Sequence, residues 1–259
     1  MSLSRCLRGL NGLLSIALLM MSGSLQAQPL DTSALRQSIN GPDREIADRM
    51  RDPARKPVEV LEFLGLQQGM SVLEVYAAGG YFTFVLSRAV GPDGRVYAQN
   101  SPRALRYDED RSDITQGDAL SQKIERGNLA NVIRVDKALD ETGLDSESID
   151  FALVSQILHD YYNRRPASAQ QMLRELFRVL KPGGILGVID HHGLDGLDNQ
   201  RLHRMTLAQA HDALTTAGFV IEAGSDLLEN RSDNPRRSIF DPMLNRGTSQ
   251  FVIRARKPE

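Results

Sequence analysis

Short apolar runs rich in β-branched residues alternate along this chain with longer stretches whose apolar residues recur at helical spacing. The runs are typical of strands buried on both faces of a sheet, and the stretches between them are typical of amphipathic helices. This alternation predicts parallel strands joined by helical crossovers, with helices on both faces of one sheet. Seven strands are predicted, at residues 71–75, 95–100, 131–135, 148–155, 185–190, 219–224 and 249–258.

The segments between these strands determine how the sheet is connected. A long polar segment, rather than a helix, joins the last two predicted strands, and this predicts an antiparallel pair at one sheet edge. We therefore expect an α/β fold with a doubly wound, mostly parallel seven-stranded sheet and an antiparallel C-terminal strand. The first predicted helix begins at Pro57, and the others lie at 81–90, around 119–125, at 167–180 and around 207–216.

The first 27 residues have the layout of a secretory signal peptide. Arg5 and Arg8 precede a short apolar run, and small residues lead to Ala27, after which we predict cleavage. The run is shorter than the roughly 20 residues that span a bilayer, so we expect no stable membrane anchor after cleavage. The single cysteine, Cys6, would be removed with the signal, which suits an oxidising compartment. We expect a protein exported to the bacterial periplasm.

Beyond the signal, residues 28–47 are polar and predict an extended or mobile lead-in, and residues 48–259 are long enough for one domain with a sizeable core. The formal net charge of −2 comes from mixed charges along the chain. It disfavours a broad basic surface, so we expect no nucleic-acid partner. The sequence does not indicate an oligomeric state.

The first predicted strand ends in a turn of small residues that leads directly into a helix. In an open parallel sheet, ligands bind beyond the carboxyl ends of the strands. We expect the helix start to offer unpaired amides and a partial positive charge, with Gly79 and Gly80 allowing close approach. These features suit a carboxylate or a nucleoside. The G-x-x-x-x-G-K-[ST] pattern for triphosphates and the G-x-G-x-x-G dinucleotide pattern are both absent from the sequence.

Taken together, these segments resemble the class I S-adenosylmethionine-dependent methyltransferase superfamily from about Asp48 onward. The most specific match is "ELFRVLKPGGILGVID", since a helix, "LKPGG" and a strand in succession recur in that superfamily. "SIDFALVSQILHD", "AGFVIEAG" and "SQFVIRARKP" resemble its fourth, sixth and seventh strands. The chain looks closest to a bacterial subfamily of exported, predicted methyltransferases. The fold that this resemblance implies is the Rossmann-like methyltransferase fold.

The resemblance implies S-adenosyl-L-methionine as the cofactor. The superfamily's acid-x-G-x-G-x-G motif aligns with Glu74, Tyr76, Ala78 and Gly80, so two of its glycines are replaced. Glu74 is predicted to contact the ligand's amino group, although an acid here also caps helices. The cofactor-binding residues that the resemblance implies are Glu74, Tyr76, Ala77, Ala78, Gly79, Gly80, Asn100, Asp136 and Ala138.

Two of the implied positions depart from the superfamily pattern. Asn100, with Gln99 beside it, stands where family members carry an acid that binds the ribose hydroxyls. An amide accepts a hydrogen bond there without the strength that a charge adds. Near the adenine amino group the family often has an acid, but Lys137 stands at the best-aligned position, with Asp136 or Asp140 available nearby and Ala138 offering a backbone amide.

Ionisable residues follow the fourth and fifth predicted strands at the same sheet edge. His159 and Asp160 follow one strand, and Asp190, His191 and His192 follow the other. A histidine titrates near neutral pH, so His159 or His191 could act as a general base. The predicted catalytic residues are His159, Asp160 and His191. Caps that hold helices and loops are the commoner role for such side chains, and no metal ligands are assigned because no metal-spacing motif is present.

Two polar segments have open interpretations. Arg55 and Lys56 precede the first predicted core helix and form either a solvated turn or an anion contact. Residues 229–242 are too polar for a core and form either a lid over an acceptor pocket or a mobile hairpin loop.

We expect methyl transfer from S-adenosylmethionine to a small or medium acceptor molecule, a reaction that depends chiefly on holding two groups in line. S-adenosylmethionine is made in the cytosol, whereas the predicted signal directs export. The alternative is therefore a periplasmic binding or accessory protein with a degenerate methyltransferase fold and no transfer activity. A third hypothesis is a metal-dependent hydrolase.

Overall fold

A computed structural model describes residues 28–108 and 113–259. The predicted signal peptide lies outside these residues. The strands of the described chain are β1 (Gln28–Pro29), β2 (Gln67–Gln68), β3 (Ser71–Val75), β4 (Arg95–Gln99), β5 (Val132–Val135), β6 (Ile149–Ser155), β7 (Leu180–His191), β8 (Val220–Ser225) and β9 (Gln250–Arg256). Its α-helices are α1 (Thr32–Ile39), α2 (Ile46–Arg49), α3 (Asp52–Arg55), α4 (Pro57–Leu64), α5 (Tyr81–Val90), α6 (Gln116–Arg126), α7 (Leu158–Arg164), α8 (Pro166–Val179), α9 (Asn199–Leu202) and α10 (Leu207–Thr216).

The main sheet has seven strands in the order β5-β4-β3-β6-β7-β9-β8. The pairs from β5 to β7 are parallel, and β9 runs antiparallel to both β7 and β8. This confirms the predicted α/β fold, its mostly parallel sheet and its antiparallel C-terminal strand. The chain builds outward from β3 through β4 to β5 and then returns to place β6 on the other side of β3. The strand order therefore reverses at β3, where ligands bind in such sheets.

Helices cover both faces of the sheet and bury its apolar residues. Helices α8 and α10 contribute Met172 and Leu214 to the core on one face. Helices α1, α4 and α5 contribute Leu35, Leu61 and Phe84 to the core on the other face. Within the described residues, no helix combines the length and the apolar character that crossing a membrane requires.

Three local expectations need correction. The predicted extended or mobile lead-in instead contains helix α1. This helix forms because Leu35 and Ile39 pack into the core and the Asp31 side chain accepts a hydrogen bond from the Ala34 amide at 2.9 Å. Strand β7 starts at Leu180 rather than at 185, because its pairing with β6 continues past an irregularity in register. Helices α2, α3, α7 and α9 were not predicted, since each has seven residues or fewer.

The polar segment before β9 is held in place rather than being a mobile hairpin loop. The buried Arg204 guanidinium donates to both carboxylate oxygens of Asp233 at 2.7 and 2.8 Å. The Ser249 amide donates to the same carboxylate at 2.8 Å. Further along the segment, the Phe240 ring lies 4.8 Å from the His203 ring. The segment is therefore anchored to Arg204 and to the residue before β9.

Candidate functional site

A cleft of about 1170 Å³ lies at the carboxyl edge of the sheet. The segments that follow four adjacent strands contribute to its wall, through Tyr76 after β3, Ser101 after β4, Ala138 after β5 and Ile157 after β6. The cleft is closed on its other side by residues of α7, α8 and the α9 region, including Asp160 and His203. A parallel sheet with reversed strand order binds ligands in this position, so the cleft is the candidate functional site.

The turn from β3 to α5 adopts a backbone that favours glycine, although two of its residues carry side chains. Tyr76 has a φ of 54°, Ala78 a φ of 50° and Gly80 a φ of 89°. A Cβ atom on Gly80 would lie 2.8 Å from Leu120 Cδ1, so only glycine fits there without rearrangement. The alternating left-handed conformation is therefore retained at the two positions where the sequence departs from the glycine pattern.

Side chains from the end of β4 hold this turn. The Tyr76 amide donates to Gln99 Oε1 at 3.1 Å, and the Ala78 amide donates to Asn100 Oδ1 at 2.9 Å. Asn100 Nδ2 returns a hydrogen bond to the Ala78 carbonyl at 3.1 Å. The expectation of unpaired amides at the helix start is wrong at Gly80, whose amide donates to the Ala77 carbonyl at 2.8 Å. The buried Asn100 uses both ends of its amide to brace the turn instead of presenting them to the cleft.

We expect Ala78→Gly to stabilise the protein by about 0.5–1 kcal/mol. Relief of a left-handed alanine is worth about 1–2 kcal/mol, and the added freedom of glycine in the unfolded chain offsets part of it. The matched control is Ala77→Gly. Ala77 lies between the two strained residues but outside the left-handed region, and its buried methyl packs in the core, so this change should destabilise by about 1 kcal/mol. Urea denaturation measures both, and equal signs would contradict this description of the turn.

Glu74 lies behind the turn rather than in the cleft. Its carboxylate accepts a hydrogen bond from the Thr83 hydroxyl at 2.5 Å and is buried. Burial raises the pKa of Glu74 to about 8, against the smaller opposing effects of Thr83, Lys123 and Arg55. The carboxyl group is therefore largely neutral at pH 7, and its hydrogen bond to Thr83 connects β3 to the first turn of α5.

The segment before α4 covers the start of α5, an arrangement that sequence reasoning missed. The Tyr81 hydroxyl donates to Asp52 Oδ1 at 2.6 Å, and Arg44 forms a two-point ion pair with the same carboxylate at 2.5 and 2.9 Å. The Arg55 guanidinium lies 4.5 Å from the centre of the Tyr81 ring and donates to Gln156 Oε1 at 2.9 Å. Lys56 donates to the Leu227 carbonyl at 2.7 Å. Arg55 thus packs against Tyr81, whereas Lys56 is exposed, as expected of a solvated turn.

The predicted cofactor residues divide between the cleft and its support. Tyr76 and Ala138 line the cleft. Asp136 is exposed and pairs with Arg134 at 2.9 Å. The others are not among the described residues that line the cleft, and they lie in or behind the turn: Glu74, Ala77, Ala78, Gly79, Gly80 and Asn100.

A cluster of histidines and acids lies where α7 meets the end of β7. His159 is buried, and its Nδ1 lies 2.6 Å from Asp190 Oδ1 while its backbone amide donates to Asp190 Oδ2 at 2.8 Å. His159 Nε2 lies 3.3 Å from Asp160 Oδ1, and the same oxygen lies 3.0 Å from His203 Nδ1. Sequence reasoning expected His159, Asp160 and Asp190 to meet. It missed His203, which is 43 residues from Asp160 and belongs to no spacing motif.

The surroundings of His159 and His191 move the pKa values of both side chains away from neutral pH. Burial opposes the charged form of His159, but Asp190 and Asp160 outweigh it and raise its pKa to about 10. Burial lowers the pKa of His191 to about 3, and His191 Nδ1 lies 2.7 Å from the Thr248 hydroxyl. The expectation that either ring titrates near pH 7 is therefore wrong. His159 is cationic there, and His191 is neutral and buried.

Residues 73–188 match the family model described as "Methyltransferase domain". The domain match lies in the parallel part of the sheet and supports a methyltransferase-type domain there. The match covers the turn after β3, the strands that contribute to the cleft and His159, and it ends within β7.

Several known proteins are similar to this chain in sequence or in fold. The "Demethylmenaquinone methyltransferase" of Listeria welshimeri is 26% identical over 132 residues, which are 51% of this chain and 49% of that protein. The chain thus spans about half the length of the curated relatives it matches. A SAM dependent methyltransferase from Aquifex aeolicus has a TM-score of 0.59 at 20% identity, over 88% of this chain and 98% of its own. The [4+2]-cyclase SpnF has a TM-score of 0.56 at 20% identity, over 88% of this chain and 93% of its own. These two likenesses are of fold.

Proposed function

We propose that this protein transfers a methyl group from S-adenosylmethionine to a small or medium acceptor molecule held in the cleft. The observation that carries the proposal is the cleft itself, which gathers residues after β3, β4, β5 and β6 at the point where the strand order reverses. A methyltransferase domain match over residues 73–188 supports the same reaction class.

The residues of the cleft fit an adenosyl group. Apolar surface for a planar ring is available on Tyr76, Ala138 and Ile157. Ser101 offers a hydroxyl group near the position of Asn100, where related methyltransferases carry a ribose-binding acid. The volume of about 1170 Å³ leaves space for a second molecule beside the cofactor. We assign these residues to cofactor binding, and we assign Asn100 and Gln99 to support of the turn.

The cofactor supplies an electrophilic methyl group, and the protein's own contribution is to orient and desolvate the two reactants. Asp160 and His203 line the same cleft as Tyr76, so they would contact an acceptor bound beside the cofactor. Without a bound metal ion, His159 is cationic and pairs with Asp160, so it does not take a proton from the acceptor. Asp160 keeps its charge because His159 and His203 outweigh the effect of burial and lower its pKa.

Isothermal titration with S-adenosylmethionine and S-adenosylhomocysteine tests the proposal. We expect micromolar binding to the wild type and a loss of about tenfold or more, about 1.4 kcal/mol, in Ala138→Trp, because the larger side chain occupies the cleft. Ala130→Trp is the matched control, since Ala130 is exposed and lies outside the described wall of the cleft. No binding at millimolar ligand, or equal loss in both variants, would contradict the proposal.

One observation favours the alternative of a binding or accessory protein without transfer activity. Both side chains at the end of β4 that could meet a ribose, Gln99 and Asn100, are already bonded to backbone groups. A fold of this kind also does not determine its reaction. Absence of cofactor binding at millimolar concentration would support this alternative, whereas micromolar binding of both ligands would support the transferase.

We also propose that the protein is exported to the periplasm after removal of residues 1–27, for which the charged, apolar and small-residue order of that segment is the support. The proposal is tested by sequencing the N-terminus of the protein from periplasmic extract. A mature chain that begins at Gln28 would support it, and an intact Met1 in the cytosolic fraction would contradict it.

A further inference from the structure

We propose that His159, Asp160 and His203 bind a divalent transition-metal ion at the edge of the cleft. One ligand atom from each of these residues lies within 4.8 Å of the other two. Asp160 Oδ1 is 3.3 Å from His159 Nε2 and 3.0 Å from His203 Nδ1. Bonds of about 2.0–2.1 Å to a tetrahedral zinc ion put neighbouring ligands about 3.4 Å apart. Two of the three ligand pairs therefore already have nearly this spacing.

The buried Asp190 orients the first of these ligands. It accepts from the His159 backbone amide at 2.8 Å and lies 2.6 Å from the ring's Nδ1. A carboxylate that holds one nitrogen of a histidine while the other nitrogen faces a metal is the usual second layer of a metal site. Asp190 has no exposed surface, so this orientation is fixed by packing as well as by hydrogen bonds.

The hydrogen-bond roles within the cluster leave a place for a cation. When His159 donates from Nδ1 to Asp190, its neutral ring has only a lone pair on Nε2. That lone pair faces Asp160 Oδ1, which is also an acceptor, at 3.3 Å. A cation between the two atoms, either a proton or a metal ion, resolves this conflict. The second imidazole, on His203, approaches the same oxygen and makes a metal ion the better match, because it supplies a third ligand.

The ligand set selects the class of metal. Two imidazole nitrogens and one carboxylate oxygen suit zinc and other first-row transition ions, whereas magnesium and calcium prefer oxygen ligands throughout. Three protein ligands leave at least one coordination position for water or a substrate. Asp160 and His203 both line the cleft, so we expect this position to face it.

The location of the site narrows the acceptor class, and this step rests on the proposed function. A metal ion beside the cleft attracts an oxygen ligand and lowers the pKa of a bound hydroxyl group. With its Nδ1 bonded to Asp190 and its Nε2 facing the ion, His159 has no free nitrogen to act as a base, so the ion would supply the activation that an oxygen acceptor needs. We infer that the acceptor carries an ionisable hydroxyl group.

Zinc titration of the chelator-treated, purified chain tests the site without S-adenosylmethionine. We expect one zinc ion per chain, and at least about tenfold weaker binding in His203→Asn and Asp160→Asn. Asparagine suits position 203, where φ is 53°, and circular dichroism checks that each variant is folded. The matched control is His211→Asn, since His211 lies in α10 and outside the cluster. Cobalt replaces zinc as a spectroscopic probe, and its visible bands should be lost in His203→Asn.

The outcomes separate this proposal from the function. Zinc binding that is absent, or unchanged in folded His203→Asn and Asp160→Asn, would overturn the metal site whatever the cofactor titration gives. Zinc binding that these variants lose would support the site even if S-adenosylmethionine did not bind. If the protein binds both zinc and S-adenosylmethionine, methyl transfer to hydroxyl compounds tests the acceptor class. Transfer that is lost on chelation and restored by zinc would support this class. Transfer that chelation leaves unchanged would contradict it.

Discussion

Replacing Asp233 with asparagine is expected to destabilise the protein by about 3–5 kcal/mol. The change leaves the shape of the side chain but removes the charge that neutralises Arg204, whose side chain has no exposed surface. Two carbonyl groups, of Arg237 and His192, also accept from this guanidinium at 3.1 and 2.9 Å, but they carry no net charge. The cost of a buried, uncompensated cation is therefore the main effect. The free energy of unfolding in urea at pH 7 measures it.

The matched control for Asp233→Asn is Glu229→Gln in the same segment. Glu229 pairs with Arg231 at 3.8 Å, and both side chains are largely exposed, at 46% and 89%. Exposed pairs contribute at most about 1 kcal/mol, so the control should lie within that range of the wild type. A similar small effect for Asp233→Asn would mean that the segment before β9 is not anchored through Arg204.

Glu74→Gln is expected to remove a large part of the pH dependence of stability. The folded carboxyl group has a pKa of about 8 because it is buried, whereas its ordinary value is 4.5. Between these values the folded chain holds a proton that the unfolded chain has released, so wild-type stability falls as pH rises. The slope is about 1.4 kcal/mol per pH unit. Glutamine keeps the neutral shape and a hydrogen bond to Thr83 without this slope.

Urea denaturation at several values from about pH 5 to about pH 7.5 measures the difference between the wild type and Glu74→Gln. The variant should gain stability relative to the wild type by an amount of the order of 3 kcal/mol across this range. Glu62→Gln controls for the loss of a glutamate, since Glu62 is exposed on α4, and it should follow the wild type. Parallel curves for the wild type and Glu74→Gln would show that Glu74 is ionised in the folded protein.

The strand pattern was readable from the sequence because it is a local property. The predicted strand at 71–75 and the predicted helix at 81–90 coincide with β3 and α5 residue for residue. Each rests on side chains within one short segment that share a buried face. Helix α1 was missed for the opposite reason, since only Leu35 and Ile39 of its eight residues are buried and their partners lie in α4 and α5.

Parts of the candidate site were also predictable. The order of strands and loops placed Tyr76, Ala138 and Asp160 at the carboxyl edge, and these residues do line the cleft. The turn was identified by its small residues, but its hydrogen bonds to Gln99 and Asn100 were not, because they join segments more than twenty residues apart. Side-chain pairing across that separation has no periodic signal in a single sequence.

The sequence by itself determined the alternation of strands and helices, and with it the mostly parallel sheet and the edge at which a ligand can bind. Periodic burial of apolar side chains sets these features, and it is written in neighbouring residues. The tertiary structure decided that Tyr76 and Ala78 adopt glycine-like backbones, that His203 joins His159, and that His159 is charged. Those properties depend on burial and on distances between distant segments, which only the folded chain brings together.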